Sequence, residues 1–461
     1  MANFVFISPN FPRTYYQFPK AWKEVGGTSL CIGEDPYESL SQELKDSMDE
    51  YYQVGSMMDY DQMYRAVAWF AHKHGKIDWL ESNNEFWLEQ DARLRTDFNI
   101  TTGDKSDSVM RYKTKSNMKA FYEKAGVPVA RYHLVTTPAE GKKFVKEVGY
   151  PVIVKPDDGV GANATWKISN DQQLEDFYKQ NLKTQYIMEE FVPGYIVSFD
   201  GITNQDGEII FRTSHVFPNP IMDIVNTKGE CFYYSVRKVP EDLDKMGSAV
   251  IKAFAIKGRF FHTEYFRLEE DKPGLGKKGD LVGLEVNMRP PGGYTPDMMN
   301  FANDINVYRI YANMAMYNEG LYQTDRPYYC VYTGKRDYIN YQNSMADVYK
   351  NYGQAICMHE RMPGILGTAM GDDAYIARFK TEEEVYKFMK YVYERKPSVE
   401  RKTEDAPKPK KSNKKCKQSI TRNTAAILAV TWNSKSMAMA ENRFWSSLHR
   451  MEDSSIMKIR A

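Results

Sequence analysis

The chain has 461 residues, of which 42% are hydrophobic and 14% aromatic, so apolar side chains are plentiful enough for two or three cored domains and exclude general disorder. Residues 1–400 carry 48 basic against 56 acidic side chains, an acidic excess that argues against non-specific nucleic-acid binding. The five cysteines are scattered and form no CxxC pair, so they indicate neither a zinc site nor a disulfide framework. No apolar stretch is long enough for a membrane span. We therefore expect a cytoplasmic protein with neither a nucleic-acid nor a membrane partner.

The first 110 residues alternate between strand and helix patterns, which predicts a small parallel α/β domain. Short apolar runs at Phe4–Ser8, Thr28–Gly33 and Ile77–Glu81 are typical of buried strands. No GxGxxG motif follows the first of them, which disfavours a Rossmann dehydrogenase. Three glutamates come at and after the third strand: Glu81, Glu85 and Glu89. Ligands bind at this edge of open α/β sheets, but a solvated helix face is the interpretation that we favour for these glutamates.

A basic helix, a strand and a glycine-bearing loop follow. The pattern of Lys115–Lys124 predicts an amphipathic helix. The strand Val152–Val154 then runs into Lys155, whose flexible ammonium can reach phosphate oxygens while its stem stays packed. The loop after it contains Gly159 and Gly161, which allow backbone N–H groups to approach a triphosphate closely. It is not a Walker loop, because no GxxxxGK[ST] motif is present.

An antiparallel sheet is predicted for the middle of the chain. Its strands are Tyr186–Met188, Ile196–Ile202, Ile209–Val216, Cys231–Val236, Phe260–Leu268 and Leu281–Val286. Between the first two strands, the segment Glu189–Val192 runs into a Pro-Gly turn. A segment of this kind can present backbone donors and acceptors to an adenine edge in an apolar slot.

The strongest chemical signal lies at the end of the last of these strands. Side chains two residues apart share a strand face, so Glu285, Asn287 and Arg289 point the same way. Oxygen donors and a guanidinium on one face are costly to bury without a ligand. Glu264, in the preceding strand, would lie beside Glu285 in a hairpin and complete a site for Mg²⁺ and phosphate oxygens, with Arg289 clamping the phosphate. His262 shares the face of Glu264, which makes it the best further candidate for a catalytic contact with the substrate.

The end of the chain divides into two parts. Residues 327–400 predict a further α/β region, with a strand near Tyr375–Phe379 and a helix near Glu382–Tyr393. Beyond it, Lys408–Lys417 is a Pro, Lys and Ser tract typical of a disordered linker. We expect residues 401–461 to form this basic linker and a solvated tail rather than a membrane tether.

These motifs, taken in order, resemble the ATP-grasp superfamily of carboxylate-amine ligases, which includes biotin carboxylase, carbamoyl-phosphate synthase and the amino-acid ligases. The matching set is Lys115, Lys155 with its glycine loop, Glu189–Val192, Glu264, and the motif Glu285-x-Asn287-x-Arg289. The resemblance implies an α/β (α+β) ATP-grasp fold with an N-terminal Rossmann-like pre-ATP-grasp domain. The implied domains are 1–110 (pre-ATP-grasp), 111–325 (ATP-grasp), 326–400 (C-terminal α/β subdomain) and 401–461 (linker and tail). Within the second domain, 111–185 would be the small lobe with the glycine loop and 186–325 the antiparallel-sheet lobe with the metal site.

The resemblance also implies a role for each matching residue. Family members place a ribose-binding glutamate just after the hinge, where this chain has Ile196 and Val197, so either Asp200 or water would meet the ribose hydroxyls. Lys113 is a rival for the role given to Lys115. The implied contacts are Lys115, Lys155, Gly159 and Gly161 with the ATP phosphates, Glu189, Glu190 and Val192 at the adenine hinge, Glu264, Glu285 and Asn287 with the metal, and Arg289 with the transferred phosphoryl group.

The function that follows from the resemblance is that of an ATP- and Mg²⁺-dependent ligase. It would activate a small carboxylate as an acyl phosphate for attack by an amine, a thiol or a similar nucleophile. Two alternatives would use the same ATP site, namely a non-catalytic ATP-binding sensor or partner subunit, and an ATP-grasp phosphotransferase. The expected cofactors are ATP and Mg²⁺ (or Mn²⁺), and the expected partners are the carboxylate and amine substrates. A homodimer is the assembly that is compatible with this function.

Overall fold

The computed structural model describes residues 1–158, 165–219, 224, 227–320 and 327–397, which we call the described residues. Their strands form three sheets, one for each of the regions 1–110, 130–190 and 194–380. Gly159 and Gly161, which were predicted to approach the phosphates, lie outside the described residues, as does the predicted tail 401–461. No helix within the described residues is long and apolar enough to cross a membrane.

The N-terminal sheet is parallel and has four strands in the order β3-β2-β1-β4, as the sequence predicts for a small parallel α/β domain. Its strands are β1 (Asn3–Ile7), β2 (Thr28–Gly33), β3 (Glu50–Gln53) and β4 (Trp79–Glu81). Its helices are α1 (Gln17–Glu24), α2 (Gln42–Ser47), α3 (Tyr60–His74) and α4 (Leu88–Asp97). Helices cover both faces, so Phe4 and Phe6 pack in the core beneath α1, while Val5 and Ile7 pack in the core beneath α3.

The chain leaves β4 through a turn that separates Glu81, Glu85 and Glu89, the last of which lies exposed on α4. Glu81 ends β4 and is buried against Arg95, with 2.8 Å between its carboxylate and the guanidinium. The side chain of Asn84 then caps the 3₁₀ helix Glu85–Trp87 by accepting a hydrogen bond from the backbone N–H of Phe86 at 3.0 Å. This cap places Glu85 at the carboxyl edge of the sheet, on the side of the cleft described below.

The second sheet belongs to a small lobe and is antiparallel, with the strand order β5-β8-β6-β7. Its strands are β5 (Tyr132–Leu134), β6 (Val152–Pro156), β7 (Trp166–Ile168) and β8 (Tyr186–Glu190), and its helices are α5 (Lys115–Lys124), α6 (Pro138–Val148) and α7 (Asp171–Tyr178). The grouping of the strand at Tyr186–Met188 with the strands after it was wrong, because β8 pairs with β5 and β6. The reason lies in the packing, since Met188 shares a core with Val152 and Phe177 of this lobe.

The third sheet is the largest and contains nine strands. Along it lie β14-β13-β9-β11-β12-β15-β17-β16, and β10 pairs with β9. The strands are β9 (Gly194–Thr203), β10 (Ile209–Thr213), β11 (His215–Phe217), β12 (Cys231–Ser235), β13 (Phe260–Leu268), β14 (Leu281–Asn287), β15 (Tyr329–Lys335), β16 (Ile356–Arg361) and β17 (Asp373–Phe379). The helices around it are α8 (Glu241–Ala253), α9 (Thr295–Asn303), α10 (Val307–Tyr317), α11 (Met345–Tyr352), α12 (Gly364–Met370) and α13 (Glu382–Tyr393). Because β15 pairs with β12, the sheet runs without a break across the boundary that we predicted at 325/326.

Two strands of this sheet form the hairpin that the sequence predicts. β13 and β14 pair antiparallel, with Glu264 opposite Glu285 and His262 opposite Asn287. The other edge of β13 pairs with β9, which brings Asp200 directly beside His262. The register of these three strands therefore determines which side chains meet at the carboxyl end of β14.

Candidate active site

A cleft of about 590 Å³ lies between the small-lobe sheet and the large sheet, and the end of β4 closes one side of it. Its walls come from β6, β7 and β8 on one side and from β9, β13 and β14 on the other. The sequence-predicted residues that line it are Lys115, Lys155, Glu189, Glu190, Val192, His262, Glu264, Glu285, Asn287 and Arg289. Asp200 is the one described residue of the predicted set that does not line the cleft.

Two lysines reach the middle of the cleft from different elements. Lys115 is the first residue of α5, whose start is fixed to the end of β6, since the Lys115 backbone N–H donates to the carbonyl of Asp157 at 2.9 Å. Its ammonium lies 3.7 Å from a carboxylate oxygen of Glu285. Lys155 lies on β6 itself and reaches Glu189 at 2.6 Å. Lys113 does not line the cleft and pairs instead with Glu89 and Asp158, so the geometry favours Lys115 over its rival.

A third lysine of the cleft, Lys119, was missed by the sequence analysis. Its ammonium and that of Lys155 each lie 2.6 Å from one oxygen of Glu189; Lys119 and Glu189 are buried, and Lys155 is partly buried. Burial by itself would raise the pKa of Glu189, but the two ammonium groups outweigh it and lower the pKa to about 2. Lys119 follows Lys115 by four residues on one helix, and this spacing places both on the same face.

The segment between the two lobes forms the apolar end of the cleft. Here Val192 is buried beside Ala130 and Phe266, and Ile153 lines the opposite wall. The carboxylate of Glu190 forms an ion pair with Arg131 at 2.7 Å. This side chain therefore stabilises the segment between the lobes and is not turned toward the apolar end of the cleft. A flat apolar group with polar edges fits between these walls, with backbone groups of the hinge at its rim.

The metal-ligating residues predicted from the sequence come together on the β13–β14 hairpin. Glu264 and Glu285 are cross-strand neighbours, and Asn287 lies two residues further along the same strand. Burial raises the pKa of Glu285, and the nearby carboxylates of Glu85 and Glu264 raise it further against the opposing effect of Lys115. Carboxylate and amide oxygens that repel one another fit a hard divalent cation. The described residues contain no group of three or more His, Cys, Asp or Glu that could hold a metal, so such a cation would also need oxygens from a bound phosphate.

Arg289 and Glu85 form an ion pair at the far side of this cluster. One carboxylate oxygen of Glu85 accepts from Arg289 Nη2 at 2.9 Å and from Nε at 3.2 Å, although the two residues are 204 positions apart. With its nitrogen turned toward Glu85, the Asn287 amide donates to both carboxylate oxygens, at 3.2 and 2.7 Å. The solvated helix face that we favoured for the three glutamates is therefore wrong for Glu85, whose carboxylate lies inside the cleft, and for Glu81, which is buried, and it holds for Glu89 on α4.

A buried chain of hydrogen bonds runs from the interior of the sheet to the cleft through His262. His262 Nδ1 lies 2.6 Å from one oxygen of Asp200, and His215 Nδ1 lies 2.7 Å from the other. His262 Nε2 faces Glu264 at 3.3 Å. Burial would lower the pKa of His262, but Asp200 and then Glu264 raise it to about 9, so the imidazole is a cation at neutral pH.

This chain of contacts bears on the role that we predicted for Asp200. Its side chain is fully buried, and Ser198, His215 and His262 occupy both carboxylate oxygens. Burial would raise the pKa of Asp200, but the two histidines lower it to about 2. A contact with the ribose hydroxyls finds no support in this geometry, which favours a role in orienting His262.

Comparison with known proteins identifies a domain family for part of this chain. Residues 115–260 match the family described as the ATP-grasp domain. The L-arginine-specific L-amino acid ligase of Bacillus subtilis is 26% identical over 266 residues, which is 54% of this chain and 60% of the ligase, so the match spans about three fifths of that relative.

Two solved structures share the fold over most of this chain. The L-amino acid ligase of Bacillus licheniformis has a TM-score of 0.65 at 14% identity, and the match covers 85% of this chain and 97% of that one. The biotin carboxylase domain dimer of Hydrogenobacter thermophilus 2-oxoglutarate carboxylase, solved with MgADP, ADP and bicarbonate, has a TM-score of 0.62 at 17% identity, covering 85% and 89%. The chain therefore carries an ATP-grasp domain at residues 115–260, within a fold of mixed helices and sheets that it shares with these two solved structures.

Proposed function

We propose that the cleft binds Mg²⁺-ATP and activates a small carboxylic acid as an acyl phosphate, which an amine then attacks. The observation that carries the proposal is the meeting of Glu264, Glu285, Asn287 and Arg289 with Lys115 and Lys155 in one cleft. Two partly buried carboxylates and a partly buried guanidinium beside a buried amide are costly to hold together in a stable fold, and a metal-bound phosphate offsets that cost. The nucleotide base would occupy the apolar end beside Val192.

The proposed reaction needs positioning and charge neutralisation, and no nucleophilic side chain. Mg²⁺, when held by the hairpin carboxylates, would neutralise charge on the transferred phosphoryl group. A substrate carboxylate oxygen forms a bond to the γ-phosphorus as the bond to the β,γ-bridging oxygen breaks, and ADP leaves. The amine nitrogen then bonds to the acyl carbon, phosphate departs, and the nitrogen loses a proton. The thiol of Cys231 lines the cleft, but burial raises its pKa to about 12, so it stays protonated and is a poor competing nucleophile.

The residues of this chain have separate tasks in that reaction. Lys115 and Lys155 hold phosphate oxygens, and Arg289 steadies the group in transfer. His262 is protonated at neutral pH, so it acts as a hydrogen-bond donor and as a counter-charge beside Glu264 rather than as a general base.

We propose an α-amino acid as the activated carboxylate. The L-amino acid ligases named above match this chain in sequence or fold, and the cleft pairs a cation with an anion where such a substrate would lie. Arg289 suits the carboxylate that is to be phosphorylated, and Glu85 beside it suits an ammonium group. A homodimer stays a prediction.

ADP release from Mg²⁺-ATP tests the proposal. The assay uses a panel of amino acids and small carboxylates, with and without an added amine, and compares wild type with Glu285→Gln. Release should require a carboxylate, should rise with the amine, and should fall by about 100-fold or more in the variant. Glu270→Gln is the matched control, because it makes the same change at an exposed position just beyond β13 and outside the cleft.

Other outcomes would favour the alternative functions. A phosphorylated acceptor that persists without an amine would favour a phosphotransferase. ATP binding without ADP release from any pair of substrates would favour a nucleotide sensor.

A further inference from the structure

The end of the cleft beyond Arg289 is an apolar chamber, whose walls we define as Phe217, Tyr233, Pro291, Leu366, Ala369 and Met370. These residues come from β11, β12, the segment after β14, and α12. Leu366 and Tyr233 are buried, and Phe217 and Met370 pack against the same core from its edge. The chamber is therefore the exposed rim of a hydrophobic core, continuous with the cleft that holds the predicted phosphate site.

The aromatic wall of the chamber is held rigid. The ring of Tyr233 stacks on Phe217 with centroids 4.9 Å apart, and on Tyr332 behind it at 5.0 Å. The Tyr233 hydroxyl pairs with the Thr295 hydroxyl at 3.1 Å, and Thr295 in turn donates to the carbonyl of Gly292 at 2.7 Å. Both hydroxyl groups are therefore satisfied by the protein, and the face that the wall offers to a ligand is apolar.

The opposite wall depends on a glycine. Gly293 has φ +64°, and a β-carbon there would come within 2.4 Å of the terminal methyl group of Met370. A side chain at this position would displace the end of the Met370 side chain and strain the backbone. Glycine at position 293 thus keeps the space beside Met370 open.

The charges of the cleft are segregated from the chamber. Among the described residues that line the cleft, the charged side chains belong to the β4 end, α5, the small-lobe strands, the hinge and the β13–β14 region through Arg289, and none belongs to the chamber walls. A guanidinium, ammonium or carboxylate pushed into the chamber would lose water and gain no partner there.

The direction in which a substrate must lie follows from the reaction. The carboxylate that accepts the phosphoryl group has to meet Arg289 and the hairpin carboxylates, and ATP occupies the side toward the hinge. The remainder of the substrate then has to extend away from ATP, into the chamber. We propose, resting on the ligase function above, that the activated amino acid carries a large apolar or aromatic side chain, which the chamber binds.

This specificity differs from the one that the name of the Bacillus subtilis relative states, which is for L-arginine. Arginine would place its guanidinium among Phe217, Leu366 and Met370, where no described side chain carries a negative charge. Phenylalanine, leucine or methionine would place only carbon and sulfur there, and each buried methylene group favours binding.

Trapping the acyl phosphate with hydroxylamine tests the inference without knowledge of the natural amine. Hydroxylamine nitrogen attacks the acyl carbon and releases phosphate, so each activated acid yields its hydroxamate. Wild type should form hydroxamates of leucine, methionine or phenylalanine with a kcat/KM about 100-fold or more above that for arginine or glutamate. Met370→Glu should raise the ratio of kcat/KM for arginine to kcat/KM for phenylalanine by about 30-fold or more, because the new carboxylate would pair with the guanidinium. Met345→Glu is the matched control on the exposed surface of α11 and should leave that ratio within about twofold.

Each outcome separates the two proposals. If the wild type forms the hydroxamate of arginine or glutamate with the same kcat/KM as that of phenylalanine, the inference is overturned and the ligase function is unaffected. If Met370→Glu does not fold, the wild-type ratio decides alone. If no acid gives a hydroxamate, the ligase function is contradicted. Whether the chamber binds an apolar side chain is then tested by thermal shifts in the presence of Mg²⁺ and a non-hydrolysable ATP analogue. Phenylalanine should raise the melting temperature where arginine does not, and equal or absent shifts would overturn the inference.

Discussion

Replacing Glu189 by glutamine should destabilise the protein strongly, because this carboxylate pairs with two ammonium groups, one of which, that of Lys119, is buried. The oxygens of Glu189 lie 2.6 Å from Lys119 and from Lys155; Lys119 and Glu189 are almost completely withdrawn from water, and Lys155 is 15% exposed. The pKa of Glu189 falls from 4.5 to about 2, which corresponds to about 3 kcal/mol of stabilisation at neutral pH. Because the folded pKa lies below the unfolded one, this stabilisation is present above about pH 4.5 and fades as the pH falls toward 2.

The loss in Glu189→Gln should reach about 3–5 kcal/mol, since the buried ammonium of Lys119 would then lose its counter-ion and be left close to the ammonium of Lys155. At about 2 cal/mol/K of unfolding entropy per residue and roughly 400 folded residues, this lowers the melting temperature by about 4 °C or more. The variant's deficit should shrink as the pH rises from 7 to 10. Its Lys119, whose pKa burial already lowers, would then give up its proton in the folded state.

Thermal unfolding of ligand-free protein at several pH values is the assay, with two companion variants. Glu190→Gln is the matched control at the neighbouring position. Its partner Arg131 is 38% exposed and can be solvated when the ion pair is lost, so this variant should lose less than about 2 kcal/mol of stability. Adding Lys119→Met to Glu189→Gln should recover at least half of the deficit. The reasoning is refuted if Glu189→Gln has the same melting temperature as the wild type, or if adding Lys119→Met to Glu189→Gln lowers the melting temperature further.

Three further predictions concern activity. Lys115→Met should lower kcat/KM for ATP by about 100-fold, while Lys113→Met, at a position outside the cleft, should change it by less than about threefold in steady-state assays. Asp200→Asn should lower kcat and leave the KM for ATP within about threefold, because Asp200 orients His262 and does not meet the ribose; a KM effect alone would contradict this. Glu85→Gln should raise the KM for the amino acid by about tenfold or more and leave that for ATP unchanged, and the reverse pattern would count against an ammonium contact.

Much of the site could be predicted because its residues follow simple periodicities. Glu285, Asn287 and Arg289 alternate along one strand end, and the apolar runs on either side of a glycine-rich turn predict the hairpin that places Glu264 opposite Glu285. The helix Lys115–Lys124 was also confirmed within its predicted bounds. In both cases the pattern and the contact that it predicts lie within a short stretch of sequence.

The features that were missed depend on contacts between distant segments. Glu81, Glu85 and Glu89 have helical spacing, but α4 begins only at Leu88, so the three side chains leave in different directions. The pairing of Glu85 with Arg289 joins positions 204 residues apart, and no local pattern encodes it. The contacts of Asp200 with His262 and His215 depend on how β9 pairs with β13 and with β11, which the sequence does not fix. Lys119 is the exception, since its spacing of four residues from Lys115 was a sufficient signal.

Oxygen transfer from the acid to phosphate tests the central proposal most directly. The protein would be incubated with Mg²⁺-ATP, an amine and phenylalanine whose carboxylate carries ¹⁸O, and the released phosphate would be analysed by mass spectrometry. An acyl phosphate that is attacked at carbon leaves one ¹⁸O atom in each phosphate, and the account predicts this label in wild type and its loss, together with phosphate release, in Glu285→Gln. Unlabelled phosphate released by wild type with every acid of the panel would mean that water, and not a carboxylate, receives the phosphoryl group, and would contradict the account.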